Sequence, residues 1–247
     1  LRELGLQQGE RSDGGVGGSR ATRVYGNASF EAGIKAREEL FAFAAQALEV
    51  EPKELTLDRG AVAHKPSKRQ MSFSEIVKFK GAPIYVRGYY KSSEKSHDAS
   101  VSAQIAEVHV DPETGKITLR SMVSAHTTGK VINPLMHQGQ IEGGVVFGLG
   151  YALTEEVMFD GPKITTTNFG EFKIPNITDI PPLKTHVMEN VPAGPGPYNS
   201  LAIGEVANVP TAAAVANAVA DACGVRITDL PVTSEKVYRA LKNGQSV

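Results

Sequence analysis

The stretch LMHQGQIEGGVVFGLGYALTEE, Leu135 to Glu156, restricts the fold more than any other part of the chain. It follows Asn133-Pro134, a pair that starts a helix with proline in its first turn, and it reads as helical throughout. Yet it holds glycines at 139, 143, 144, 148 and 150. Each destabilises a helix interior by about 1 kcal/mol relative to alanine, so something must compensate. Close helix–sheet packing would do so, and so would a face on which another backbone or a ligand comes into contact. The two explanations are compatible.

The surrounding pattern mixes helices and strands. Ahead of the glycine-rich stretch, Val101, Ala103, Ile105, Val108 and Val110 recur with strand-like spacing, DPETGK supplies a turn near Pro112 to Gly115, and ITLRSMVSAH continues as the second arm of a hairpin. His109 and His126 are expected on facing strands. Earlier, Asn27 is a candidate cap for a long amphipathic helix over residues 28 to 48, on which Phe30, Ile34, Leu40, Phe41, Ala44 and Leu48 are spaced for one face. Residues 54 to 63 read as a short hairpin, and Ser72 with Glu75 forms a capping box before SEIVKFK. Asn168 to Pro182 reads as an extended, proline-punctuated connection and Leu183 to Glu189 as a strand. Pro192 to Pro197 is too rich in proline and glycine for regular structure. A strongly helical segment, PTAAAVANAVADAC, and a capped final helix, TSEKVYRALKN, complete an α+β fold of mixed sheets and packed helices. Its 247 residues suffice for one large domain or two small ones; segments of about 20–130 and 131–247, interleaved, are the candidate subdomains.

Composition removes several functions. With 26 basic and 27 acidic side chains, no electrostatic footprint for nucleic acid or an anionic membrane exists. The apolar run Gly143 to Leu153 is far shorter than the roughly 20 residues of a membrane span. One cysteine, Cys223, excludes an internal disulfide and an iron–sulfur cluster ligated within this chain, and points to a reducing, cytoplasmic compartment. The six histidines form no metal-binding spacing, DGGVGGSR matches neither a dinucleotide fingerprint nor a P-loop, and no G-x-S-x-G elbow is present. The polar opening LRELGLQQGERSDGG is unlike a signal peptide, and a start on Leu1 reads as part of something longer.

Three glycine-rich loops remain. Gly17 to Thr22, GGSRAT, precedes a helix and is either an ordinary capped loop or an anion site built on free N–H groups. In HQGQIEGG, Gln138 and Gln140 are either solvated or able to pair with a heterocyclic amide edge. Gly204-Glu205, in SLAIGEV, sets a carboxylate in an apolar run at the end of a rigid loop. Such a carboxylate is either a helix-start residue favoured by the dipole or a poorly solvated general base or acid.

Taken together, GGSRATRVYGNA, VINPLMHQGQIEGGVVFGLGYALTEE, NFGEFKIPNITDIPP and AIGEVANVPTAAAVANAVADACGVRITDLPVTSEKVYRAL resemble, in order and spacing, the C-terminal part of the molybdenum-binding subunit of the xanthine dehydrogenase and aldehyde oxidase family. The resemblance runs from about residue 13 to 242. It implies the second molybdopterin-binding region of a molybdenum hydroxylase, with the metal held through the pterin and no protein ligand from this chain. It assigns Glu205 as the base that takes a proton from the attacking hydroxyl while hydride leaves the substrate carbon. It gives Gln140 a contact with the pterin, places Ser19, Arg20, Ala21 and Thr22 in the loop that binds the pterin phosphate or its cytosine nucleotide extension, and sets Gly204 beside the cofactor.

Two positions depart from the family pattern, Val206 where proline is common and Leu201 where lysine or glycine is common. They bear on the substrate pocket. Nothing in the chain matches the family's first molybdopterin-binding half, so that half, together with iron–sulfur and flavin modules carrying the clusters and FAD, is implied as partner domains or subunits. The implied substrate is an N-heterocycle, aldehyde or related small molecule. A non-catalytic binding or assembly module and a reductase of aromatic acyl-CoA remain alternatives.

Overall fold

The computed structural model describes residues 16–91, 99–191 and 194–244. The chain divides into two compact units, one of residues 21–96 and one of 1–20 with 97–247.

In the first unit a π-helical turn, Thr22–Gly26, runs directly into α1, Asn27–Leu48. Asn27 does not cap this helix as expected. The chain entering it is already helical, so the Asn27 Nδ2 instead donates to the Arg23 carbonyl at 2.8 Å. The expected hairpin gains a third strand: β1 (Leu55–Asp58), β2 (Ala61–His64) and β3 (Arg69–Ser72) form an antiparallel meander. The capping box is present at α2, Phe73–Lys80, where Ser72 and Glu75 satisfy each other's backbone N–H groups. Ala44, Leu48, Leu55, Val62 and Ile76 bury against one another as the core of this unit.

The second unit is built on a three-stranded mixed sheet in the order β4 (Ser102–Val110), β5 (Ile117–Thr127), β8 (Leu183–Met188). The DPETGK turn is made as expected, with the Asp111 side chain accepting from Glu113 N at 2.9 Å and from the Thr114 hydroxyl at 2.8 Å. His109 and His126 lie on neighbouring strands but not opposite each other: His109 faces Thr118 and His126 faces Ser102. β5 and β8 run parallel, which demands a long crossover. Helix α3, Pro134–Leu153, belongs to that crossover and is capped by Asn133 through the N–H of Met136.

Between α3 and β8 lies a two-residue ribbon, β6 (Phe159–Asp160) with β7 (Lys163–Ile164), and after it the stretch Asn168 to Pro182, expected to be extended, contains two short helical turns. These are α4 (Phe169–Phe172) and a 3-10 turn at Ile177–Asp179, each started by an asparagine side chain, Asn168 and Asn176. Asparagine caps offer such N–H groups a partner, which is why the proline-rich stretch still coils locally. Helices α5 (Thr211–Cys223) and α6 (Ser234–Lys242) follow. Met122, Val145, Leu149, Ala152 and Val215 bury where α3 and α5 pack on the sheet, and burying each valine or leucine there contributes roughly 1.5–3 kcal/mol. A neighbouring cluster of Val110, Val219, Val225, Val232 and Val237 holds α6.

The five glycines of α3 divide by face. A Cβ at Gly144 would lie 2.7 Å from the Ala207 Cβ, and one at Gly148 would lie 2.5 Å from the Thr211 Oγ1, so both admit the backbone that leads into α5. A Cβ at Gly150 would collide with the Glu155 carboxylate. Gly139 and Gly143, in contrast, face open space on the exposed side of the helix.

Candidate cofactor-binding and catalytic site

Glu205 lies in a turn-rich segment, Gly204 to Pro210, just ahead of α5. Such a segment lacks ladder partners, so its backbone groups must find others. Side chains supply them. The Ser100 hydroxyl donates to Ala202 O at 2.8 Å, Ser102 to Val206 O at 3.0 Å, Gln104 Nε2 to Ala207 O at 2.6 Å and the Tyr151 hydroxyl to Asn208 O at 2.6 Å. Ser100, Ser102 and Gln104 alternate along one side of β4 and its approach, where the strand pattern would place apolar residues. Val101, Ala103 and Ile105, the residues that mark the strand, point outward and are exposed. Burial holds the Tyr151 hydroxyl above its ordinary pKa, so it stays a donor.

On its other side the segment meets the glycine-rich loop. The Glu205 N–H donates to the Ser19 Oγ at 2.9 Å, while its carboxylate accepts from Gly18 N at 3.3 Å and from the Ser19 hydroxyl at 3.4 Å. Gly18 and Ser19 both have left-handed backbone, with φ of 60° and 53°. That geometry is free for glycine and strained for serine, by roughly 1 kcal/mol or more. A Cβ on Gly204 would lie 3.1 Å from Ser19 Oγ and 3.5 Å from Gln140 Oε1. Ser19, Gln140, Gly204 and Glu205 are therefore brought together from three distant stretches of one unit.

Glu205 is exposed in this chain. The poorly solvated, apolar setting suggested by the run SLAIGEV is absent, because its neighbours are the polar Gly18–Ser19 loop. Gln140 is also exposed, on the same side of α3 as the open Gly139 and Gly143. Gln138 is engaged elsewhere: its Nε2 donates to Glu142 at 2.8 Å and its Oε1 accepts from Thr185 at 2.8 Å. Arg20 is exposed and closes this unit, and Ala21 and Thr22 open the other one as the first helical residues. The proline–glycine loop is described from Gly194, where Gly194 N and Gly196 N donate to Asn199 O and Ser200 O at 3.3 and 3.1 Å; Pro192 lies outside the described residues.

Beneath the site runs a partly buried polar chain. Ala207 O only accepts, so it orients the Gln104 amide with Nε2 toward it and Oε1 toward Thr211 Oγ1, which donates at 2.7 Å. The second Gln104 Nε2 proton goes to Ser124 Oγ at 2.9 Å, and Ser124 Oγ is in turn hydrogen-bonded to His126 Nε2 at 2.7 Å. The other ring nitrogen, His126 Nδ1, is buried without a hydrogen-bond partner among the described residues. Burial, and then the charge of His137, hold His126 below its ordinary pKa; burial does the same to His137 against a smaller opposing effect of Glu189.

The pattern of molybdopterin cofactor-binding domains matches residues 8–181, most of the chain. The chain belongs to the molybdopterin cofactor-binding domain family. The match takes in Ser19 to Thr22 and Gln140 and ends before Glu205. Relatives extend further: the chain is 30% identical over 241 residues to the 6-hydroxypseudooxynicotine dehydrogenase complex subunit gamma of Paenarthrobacter nicotinovorans, covering 91% of this chain and 30% of that protein. It is 30% identical over 238 residues to the xanthine dehydrogenase molybdenum-binding subunit of Escherichia coli O157:H7, covering 92% of this chain and 31% of that one. Among solved structures, the aldehyde oxidoreductase from Desulfovibrio desulfuricans ATCC 27774 matches with a TM-score of 0.70 at 29% identity, over 91% of this chain and 23% of that one. The chain thus spans about a third or less of the length of these relatives. Its α+β architecture is that of a molybdopterin-binding region of a molybdenum hydroxylase, as expected from the resemblance.

The site fits the group that names the family. Gly139 and Gly143 leave one face of α3 without side chains beside the exposed amide of Gln140, and Gly204 leaves the room a Cβ would fill between Ser19 and Gln140. Among the described residues, no group of three or more histidine, cysteine, aspartate or glutamate side chains is placed to hold a metal ion directly. Nor is any helix among them long and apolar enough to cross a membrane.

Proposed function

We propose that this chain forms one side of the molybdopterin site of a molybdenum hydroxylase that oxidises a carbon centre of an N-heterocycle, an aldehyde or a related small molecule, with water as the oxygen source. Gln140 and the loop Ser19 to Thr22 hold the pterin and its phosphate or nucleotide extension, with Gly204 admitting it closely, and Glu205 is the general base. When bound, the cofactor supplies the two-electron redox chemistry. The carboxylate of Glu205 receives the proton lost by the oxygen nucleophile as it adds to the substrate carbon. Its present partners suit that task. At 3.3 and 3.4 Å the bonds from Gly18 N–H and the Ser19 hydroxyl are long, so they orient the carboxylate while leaving it free to accept a proton.

The observation that carries this reading is the convergence of Ser19, Gln140 and Gly204 around Glu205. Residues 186 positions apart, Ser19 and Glu205, are linked through both backbone and side chain. The exposure of the carboxylate supports a second part of the proposal: the rest of the enzyme, comprising the first molybdopterin-binding half and iron–sulfur and flavin modules, closes over this face and excludes water from it. A cytoplasmic setting, where such thiol-ligated clusters persist, goes with it.

Metal and pterin analysis of the intact native complex tests the assignment. Close to one molybdenum and one pterin per copy of this chain are expected from a host able to make the cofactor. A complex isolated from such a host without molybdenum would make the chain a non-catalytic member of its family.

A further inference from the structure

The Glu205 segment owes its shape to side chains of β4 and its approach. Ser100, Ser102 and Gln104 alternate along one side and bind the carbonyls of Ala202, Val206 and Ala207, on both sides of Glu205. No backbone ladder holds this segment, so its path depends on these bonds. Gln104 differs from the two serines. Its amide uses both donors and one acceptor, joining three elements: the Ala207 carbonyl, Ser124 on β5 and Thr211 at the start of α5. The single Thr211 hydroxyl proton goes to Gln104 Oε1 at 2.7 Å, so the Gln104 Nε2–H, at 2.6 Å, is the side-chain donor that holds the carbonyl two residues after Glu205.

This half-buried amide is the hinge-pin between the sheet and the catalytic segment. An apolar residue would serve the strand equally well, as Ala106 and Val108 do further along the same side. The choice of glutamine is explained by the carbonyls it must satisfy. A buried carbonyl without a donor would turn toward solvent and take the adjoining backbone with it.

We propose that Gln104, assisted by Ser102, is a positioning residue for Glu205: it fixes the Val206–Ala207 backbone and so sets where the carboxylate points. The proposal rests on the reading of Glu205 as general base. Gln104 itself touches neither Glu205 nor, in this assignment, substrate or cofactor. Its effect travels through two peptide units, and misplacing a catalytic group by about 1 Å can lower a rate by about 10²-fold.

The experiment uses the complete, cofactor-loaded enzyme with Gln104→Met, Ser102→Ala, Ser102→Thr, Glu205→Gln and the double variant Gln104→Met/Glu205→Gln. Turnover is read with xanthine, nicotinate and benzaldehyde as electron donors and a dye as acceptor, alongside molybdenum content and hydrogen exchange of the peptide spanning residues 200–211. For Gln104→Met, about tenfold or more loss of kcat at nearly unchanged KM and molybdenum content is expected, with about tenfold faster exchange at the amides near Glu205. Ser102→Ala should show the same effects more weakly, and Ser102→Thr, which keeps the hydroxyl, should restore them. In the double variant Gln104→Met should add nothing to the loss caused by Glu205→Gln.

Unchanged exchange near Glu205 in Gln104→Met overturns the proposal, with no substrate required. An additive loss in the double variant overturns it as well, since Gln104 would then act on something other than Glu205. Should Gln104→Met fail to assemble, the serine pair reads the same question, and silence of Ser102→Ala in both exchange and kcat overturns it. Wild-type turnover by Glu205→Gln removes the base assignment itself, a failure visible before Gln104 is considered.

Discussion

Ser19 Oγ accepts a hydrogen bond from the Glu205 backbone N–H at 2.9 Å and faces the carboxylate of the same residue at 3.4 Å. A residue of the glycine-rich loop therefore contacts Glu205 through both its backbone and its side chain. Because Ser19 has a φ of 53°, two substitutions separate its hydroxyl from its backbone. Ser19→Ala keeps the strained conformation and loses the hydrogen bonds, worth about 0.5–1.5 kcal/mol each. Ser19→Gly loses the same bonds but relieves the strain. We predict that Ser19→Ala lowers the unfolding free energy more than Ser19→Gly, while hydrogen exchange at the Glu205 amide rises in both. Equal protection of that amide in wild type and both variants would contradict the contact.

The glycines of α3 should fall into two classes. Ala at 144 or 148 would force apart α3 and the chain entering α5, and overpacking of this kind destabilises by about 1–3 kcal/mol. Ala at 139 or 143 meets nothing, so helix propensity should stabilise the chain by up to about 1 kcal/mol. In the complete enzyme, however, the latter pair should lower pterin content, because a methyl group then stands on the face assigned to the cofactor. Urea denaturation of the chain and cofactor analysis of the complex measure the two effects separately. Full pterin loading in both Gly139→Ala and Gly143→Ala would count against a cofactor on this face.

The buried histidines predict a dependence on pH. His126 and His137 are held below their ordinary value of 6.5, chiefly by burial. As pH falls below about 6.5 the unfolded chain takes up protons that the folded chain refuses, so stability decreases with falling pH. Glu155, raised by burial, acts with the opposite sign but only toward the carboxylate range. Glu75 and Asp111, lowered by their hydrogen bonds, reinforce the loss only when pH falls below about 4.5. Between pH 7 and 5.5 the histidines should dominate. The urea midpoint should decline across that window, and less steeply in His137→Gln; a level profile in the wild-type chain would contradict their burial as neutral groups.

Much of the fold was legible because its signals are local. The Asn133 cap and Pro134 announce α3, DPETGK makes its turn, and Ser72 with Glu75 caps α2. The inward face of β4 was not legible by the same rule. Val101, Ala103 and Ile105 alternate convincingly, yet the opposite side carries the polar groups that a segment 100 residues later needs. The regular recurrence of Ser100, Ser102 and Gln104 is the one hint of this in the sequence. β3, RQMS, lacks apolar alternation and is fixed by its pairing with β2. The site's members gained their reading from a family resemblance spread over four blocks. Pattern alone left Glu205 open between a residue at a helix start and a general base or acid, and its contact with Ser19 is a tertiary relation that no local spacing encodes.

The central claim is that Glu205 moves the proton. The most direct measurement is kcat of Glu205→Gln in the complete enzyme with molybdenum content matched to wild type, since glutamine preserves size and hydrogen bonding while removing the basic oxygen. General acid–base catalysis typically contributes about 10²–10⁴-fold, and a loss in that range is predicted with little change in KM. A fall of less than about tenfold would contradict the assignment.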